Sequence, residues 1–405
     1  MTEIFLTVFF ISVLLFFLGS GIWVALSMIG VSAIGMMLFT SRPVGDAMAT
    51  TIWGTSSSWT LTALPLFVWM GEILFRTKLS ENLFKGLSPW MQKLPGGLIH
   101  VNIVGCALFA AISGSSAATV ATVGKMSIPE LRKRNYPEKI LLGSLAGSGT
   151  LGLLIPPSII LIIYGVAVQE SIAKLFIAGI IPGIMIAIIF MSYVIIWSLI
   201  NKKEMPKTLE EYSFLEKVKR STQLLPVILL ILAVIGSIYT GVATATEAAS
   251  LGVVGALILS YFQKSLTLET FKSSLLGATK TSCMIAFILA GSTFLSLAMG
   301  FTGLPRNLAI WIQNMDLSPY VLIFVLMIFY IILGMFLDGI SAVVLTMAII
   351  EPMIRQAGFD MIWFGIFLVI VVEMAQITPP VGFNLFVLQG MANKDMGYIA
   401  KSAFP

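Results

Sequence analysis

The stretch GSGTLGLLIPP (147–157) decides how this chain is read. It lies inside an apolar run over 140–168, and about 20 apolar residues suffice to cross a bilayer as a helix. Three glycines and a Pro-Pro pair break that run, and each proline removes an N–H donor from the helical ladder. Freed backbone groups are tolerated at membrane depth only where protein or a water-filled cavity surrounds them. The break also returns. Pro379-Pro380, in ITPPVGFN (377–384), stands 223 residues after Pro156-Pro157. Gly114-x-Ser116-Ala117 returns 225 residues on as Gly339-x-Ser341-Ala342, and Gly54 and Gly277, 223 apart, open similar stretches. Three matches in one order at nearly one offset read as an internal duplication.

Composition agrees with a membrane setting. Of 405 residues, 58% are hydrophobic and 11% charged, with a mean hydropathy of +1.00; soluble domains carry roughly 25% charged residues. A soluble enzyme, a disordered chain and a disulfide scaffold are excluded, and an all-α polytopic membrane protein is expected. The net charge of +5 reflects Lys and Arg gathered in cytoplasmic loops. Cys106 and Cys283 read as small buried hydrophobes. With one histidine, His100, there is no transition-metal cluster to assemble.

The duplication sets the expected organisation. Residues 1–200 form a first repeat, with a re-entrant hairpin at about 98–129 and a broken helix at about 140–168. Residues 201–220 (NKKEMPKTLEEYSFLEKVKR), with six Lys/Arg and four Glu, form a cytoplasmic connector that is amphipathic if helical. Residues 221–405 form the second repeat, with a hairpin at about 320–354 and a broken helix at about 361–389. Arg132, Lys133, Arg134 and Lys139 follow the first hairpin, whereas the matching loop carries only Arg355 and Asp360, so the repeats are expected to be inverted. The same count puts Arg76, Lys78, Lys85 and Lys93 inside. Pro182 opens an apolar run whose counterpart is Pro405, so one more spanning helix is expected after 405.

Broken segments at matching places in two halves point to a transport site. At Ser113, Gly114, Ser115 and Ser116, two half-helices would meet. The freed carbonyls suit Na⁺, and the N-terminus of the second half-helix suits an anion; close packing by small residues is the competing reading. Gly147, Ser148, Gly149 and Thr150 would unwind beside Pro156 and Pro157. The second half offers Gly334, Asp338, Gly339 and Ser341 facing Thr378, Pro379, Pro380, Gly382 and Asn384. Asp338, an acid in an apolar run, is functional by default, with helix capping as the other reading. Glu247 reads as a cap, Glu72 and Glu373 as site or structural groups, and Arg355 as a solvated helix end.

These strings also resemble a known family. GSSAATVATVG (114–124), LLIPPSIILIIYG (153–165), TEAA (246–249), GMFLDGISAVVL (334–345) and ITPPVGFNLFVLQG (377–390) are similar to the large membrane subunit of TRAP (tripartite ATP-independent periplasmic) transporters, over nearly the whole chain. The resemblance implies an elevator: a transport domain of two hairpins and two broken helices moving against a scaffold, with two Na⁺ ions and no ATP. It implies a small four-helix membrane subunit, a periplasmic substrate-binding protein, an inner-membrane location and no cofactor besides the coupling ion. One Na⁺ site would be Ser113–Ser116 with Gly147–Thr150. The other would be Gly334, Asp338, Gly339 and Ser341 with Thr378, Pro379, Pro380, Gly382 and Asn384. The substrate carboxylate would lie near Ser116, Ser341 and Asp338, beside Pro156 and Pro157. Many members carry an Asp where Thr119 stands here. Sialic acid is the expected substrate, ahead of C4-dicarboxylates, keto acids and other acidic sugars. The alternatives are a Na⁺/dicarboxylate symporter that needs no binding protein, a channel, and an intramembrane enzyme. The enzyme would need His100, which lies beside Gly96-Gly97 and away from the Ser-rich breaks.

Overall fold

The computed structural model describes residues 2–77, 79–206, 212–303, 307, 310 and 318–405. Lys78 and residues 207–211 of the connector lie outside the described residues. Among the described residues every regular element is helical. Four helices are long and apolar enough to span a membrane, or up to seven if each bent pair counts as one span. The chain is a polytopic α-helical membrane protein. Ile172–Ile200, with 29 residues, measures about 43 Å at 1.5 Å per residue. That exceeds a hydrocarbon core of about 30 Å, so it tilts or protrudes. Its outer face, Ile181, Ile184, Met185 and Ile188, is exposed, as a lipid-facing surface must be.

Two helix pairs and two interrupted helices hold the matched breaks. The first pair is Ile99–Ser113 and Ser116–Lys133, and the second is Pro319–Gly334 and Gly339–Gln356. The first interrupted helix runs Glu138–Gly149, Leu151–Leu154 and Ile159–Ala167; the second runs Met361–Gln376 and Phe383–Ala392. The Pro156–Pro157 and Pro379–Pro380 peptide bonds are both cis. Packing between the halves is reciprocal. Phe383–Ala392 lies on Ser116–Lys133, and Ile159–Ala167 lies on Gly339–Gln356. Each crossing is closed by an arginine. Arg132 Nη2 donates to Ala392 O at 2.7 Å and pairs with Glu138. Arg355 Nη2 donates to Val168 O at 3.1 Å, and its Nε donates to Glu351 at 2.9 Å. These arginines stand 223 residues apart, the offset of the proline pairs. Arg355 is half-exposed in the last turn of Gly339–Gln356, as expected of a helix end, and also holds the last turn of Ile159–Ala167.

The remaining helices flank this core. Ala63–Phe75 packs on Ala245–Phe262 and on Leu268–Thr302, and Leu268–Thr302 also meets Val24–Phe39 and Gly339–Gln356. Ala245–Phe262 starts on a capping box in which Thr244 Oγ1 accepts from Glu247 N and the Glu247 carboxylate accepts from Thr244 N, so Glu247 is a cap. In the connector, Phe214–Ser221 is helical behind a Ser213/Glu216 capping box, with Phe214 and Leu215 exposed. Cys106 is buried, but Cys283 lies on the exposed face of Leu268–Thr302, so the expectation of two buried thiols fails for the second.

Candidate functional site

The first tip is laced by its own hydroxyls. Gly114 takes φ +59° and ends Ile99–Ser113, a left-handed turn that glycine adopts without steric cost. Ser115 Oγ then accepts from Ala118 N at 3.4 Å and starts the second arm. Ser113 Oγ lies 2.9 Å from Thr119 Oγ1, and Thr119 Oγ1 donates to Ser115 O at 2.7 Å. A neutral hydroxyl thus braces the tip. The tip rests on the first interrupted helix. Ile159 N donates to Gly114 O at 3.3 Å. A Cβ on Gly114 would fall 2.7 Å from Pro157 O, and one on Gly152 would fall 2.6 Å from Ser115 O. Ser113 Oγ, Ser115 O and Pro157 O gather around Gly114, an oxygen set of the kind hard cations take.

Gly147–Thr150 behaves differently from the sequence expectation. Gly147–Gly149 stays helical, Thr150 marks only a one-residue join to Leu151–Leu154, and the wider interruption falls at Ile155–Ser158. Gly149 leaves room for Val120, and Gly147 faces Phe190. Thr150 Oγ1 donates to Gly147 O at 2.6 Å, and Ser148 Oγ to Asn102 O at 3.4 Å. These glycines serve helix packing, and the partner the first tip meets is Gly152 with Pro157–Ile159.

The second tip is capped by an acid. Asp338 Oδ2 accepts from Ser341 N at 3.1 Å and begins Gly339–Gln356. Gly334 abuts Ala375, and a Cβ on Gly339 would fall 2.7 Å from Gln376 Nε2. Val381 N donates to Met335 O at 3.2 Å, tying the tip to the second break. Within that break Gly382 takes φ +49°, and Thr378 Oγ1 donates to Met374 O at 2.7 Å. Pro379 and Pro380 are exposed. Asn384 is fully buried, and neither its Oδ1 nor its Nδ2 has a hydrogen-bond partner.

A cavity of about 630 Å³ opens between the two tips. Ser113, Ser115, Ser116, Asp338 and Gly339 line it; Ser341, Pro156 and Pro157 do not. Ser341 is buried in its own helix, and Pro157 stands behind the first tip. The opposite wall comes from Ala63–Phe75 and Leu268–Thr302 through Val68, Glu72, Thr281 and Met284. Glu72 is paired with Arg76, whose Nε also donates to Ser273 Oγ at 2.9 Å. Glu373 is buried away from the cavity, facing the Leu153 backbone. His100 is buried with Nε2 2.8 Å from Pro95 O. Sequence reasoning missed Gln376, which lines the cavity while being 3% exposed. Ser116 Oγ donates to its Oε1 at 2.7 Å. The available signal was an amide in an apolar helix, two residues before a break.

Paired tips, interrupted helices and a cavity between them invite comparison with known carriers. The sequence profile of the "Tripartite ATP-independent periplasmic transporter, DctM component" family matches residues 9–405. The chain belongs to this family. It is 33% identical to the C4-dicarboxylate TRAP transporter large permease protein DctM of Pseudomonas aeruginosa, over 92% of this chain and 87% of that protein. The 2,3-diketo-L-gulonate TRAP transporter large permease protein YiaN of Escherichia coli is 31% identical over 88% of this chain and 84% of that protein. The sialic acid TRAP transporter large permease protein SiaM of Vibrio cholerae is 30% identical over 95% of this chain and 90% of that protein. In fold, this TRAP large permease is similar to the Alcanivorax borkumensis YdaH transporter, whose crystal structure shows an unusual topology. The TM-score is 0.64, at 13% identity over 97% of this chain and 94% of that one, a likeness of fold alone. Its relatives are transporter permeases, and it is a multi-pass protein of the bacterial inner membrane.

Proposed function

We propose that this TRAP large permease couples Na⁺ entry to the uptake of an organic carboxylate delivered by a periplasmic binding protein, together with a small membrane subunit. The observation that carries this reading is the cavity of about 630 Å³ between two capped half-helix starts. A half-helix N-terminus accepts negative charge, and the oxygens around Gly114 supply a cation's ligands beside it. The first Na⁺ site is Ser113–Ser116 with Gly152 and Pro157; the second is Gly334–Gly339 with Thr378–Asn384, where the unpaired Asn384 amide adds an oxygen. The helix pairs are re-entrant hairpins, the two repeats are inverted, and the core moves against Ala63–Phe75 and Leu268–Thr302 as an elevator.

Sialic acid is the first substrate to test. The relatives named for C4-dicarboxylates support a second reading with a four-carbon dicarboxylate. Uptake into liposomes holding both membrane subunits decides between them, with labelled sialic acid or succinate offered in turn. Uptake that needs the soluble protein and an inward Na⁺ gradient supports the reading. Uptake without the soluble protein identifies an ordinary symporter.

A further inference from the structure

We propose that Gln376 is the specificity-determining side chain of the inter-tip cavity, its Nε2 donating to a carboxylate oxygen of the substrate. The proposal rests on the reading of this chain as a carboxylate carrier and adds to it the group that holds the carboxylate. Gln376 is 97% withdrawn from solvent, being 3% exposed, yet it lines the cavity. Its Oε1 is occupied by the Ser116 hydroxyl at 2.7 Å. Its Nε2 makes no hydrogen bond to protein among the described residues, so its two N–H groups are free to donate into the cavity.

The direction of Nε2 names the acceptor it lacks. It points at the start of the second arm, where a Cβ on Gly339 would fall 2.7 Å from it. Asp338 takes up the Ser341 N–H and the Asp338 carbonyl takes up the Ala342 N–H. The Gly339 and Ile340 N–H groups, both on the cavity wall, are left over. Two backbone donors and a side-chain amide therefore converge on one corner. Among the described residues no Lys or Arg lines the cavity, whose only charged lining groups are Glu72 and Asp338, so a carboxylate entering it is held by neutral donors. Ser116 fixes the amide by filling its oxygen, which leaves only N–H groups presented to the ligand. Gln376 joins the first tip, through Ser116, to the second, through Gly339, so the carboxylate bridges both.

The test uses the assembled transporter in liposomes with its binding protein, and labelled sialic acid and succinate as probes. Gln376→Glu keeps the shape but offers no amide N–H to the substrate, and adds charge. Gln376→Leu removes both polar atoms. Losing a donor to a charged acceptor raises KM for the transported carboxylate about 10- to 100-fold. The maximal rate stays within about threefold, and the Na⁺ concentration for half-maximal rate within about twofold. Ser116→Ala, which frees the amide to rotate, raises KM by a smaller factor. Unchanged KM in both Gln376 variants overturns the proposal. So does a fall in maximal rate alone, which marks a structural strut between the tips. If a Gln376 variant does not elute as a monodisperse complex, Ser116→Ala decides by the same KM criterion. Wild-type liposomes that take up neither probe contradict the carboxylate-carrier reading itself, a result distinct from active wild type with unaffected variants.

Discussion

Asp338 does two jobs with one carboxylate: an oxygen caps Gly339–Gln356 through Ser341 N at 3.1 Å, and the group also faces the cavity. Asp338→Asn keeps an oxygen for the cap, where Asn serves as well as Asp, and removes the charge. The helix stays intact, and the Na⁺ concentration for half-maximal uptake rises several-fold; an unchanged Na⁺ curve would remove Asp338 from the ion site. Gly152 makes a sharper steric case. A Cβ there would sit 2.6 Å from both Ser115 O and Ser116 Cα, backbone atoms with nothing flexible to yield. Gly152→Ala costs about 1–3 kcal/mol as overpacking and abolishes uptake by displacing the first tip. Gly236→Ala, with nothing within 4 Å, leaves uptake unchanged in the same assay. The tip at Ser113–Ser116 was legible in the sequence because Gly and Ser interrupt an apolar run there. Gly147–Thr150 was misread because glycines in membrane helices also admit close neighbours, here Val120, and composition does not separate the two uses. Gln376 stayed hidden because an amide's role depends on which helix it faces.

At the scale of elements, the halves hold each other's ends. Arg132 bonds the last turn of the second interrupted helix and Arg355 that of the first. A positive group at a helix C-terminus is also favoured by the helix dipole. Both arginines are partly exposed, so screening leaves each contact about 1 kcal/mol. Arg132→Ala and Arg355→Ala each lower the thermal midpoint of the detergent-purified protein by a few degrees. The double variant shows the sum, because the sites share no partner. Unchanged midpoints would make the crossings incidental. The two matched breaks were readable from the Pro-Pro and Gly-x-Ser-Ala spacing, since adjacent prolines remove two successive N–H donors and helices end at both places. The reciprocal packing was not, because it joins residues far apart in sequence, as Arg355 with Val168.

At the scale of the whole molecule, inversion makes a directional prediction. Lys133 ends Ser116–Lys133 and Ala357 follows Gly339–Gln356, and the proposed inversion puts the two on opposite sides of the membrane. In a background with Cys283→Ser, which removes the exposed thiol, an impermeant thiol reagent added outside the inner membrane labels Ala357→Cys and spares Lys133→Cys. Labelling of both, or of Lys133→Cys alone, contradicts the inverted arrangement. The class of the molecule was plain from composition, because 11% charged residues cannot cover a soluble fold of this length. The position of the cavity was not, since its walls come from nine separate helical segments among the described residues.

Coupled uptake tests the central claim most directly. Both membrane subunits are placed in liposomes, the binding protein is loaded with labelled sialic acid or succinate, and the Na⁺ gradient is set inward, absent or replaced by K⁺. Accumulation of one carboxylate only with inward Na⁺ and the binding protein present is the predicted result. Equal accumulation with K⁺ in place of Na⁺ would contradict it.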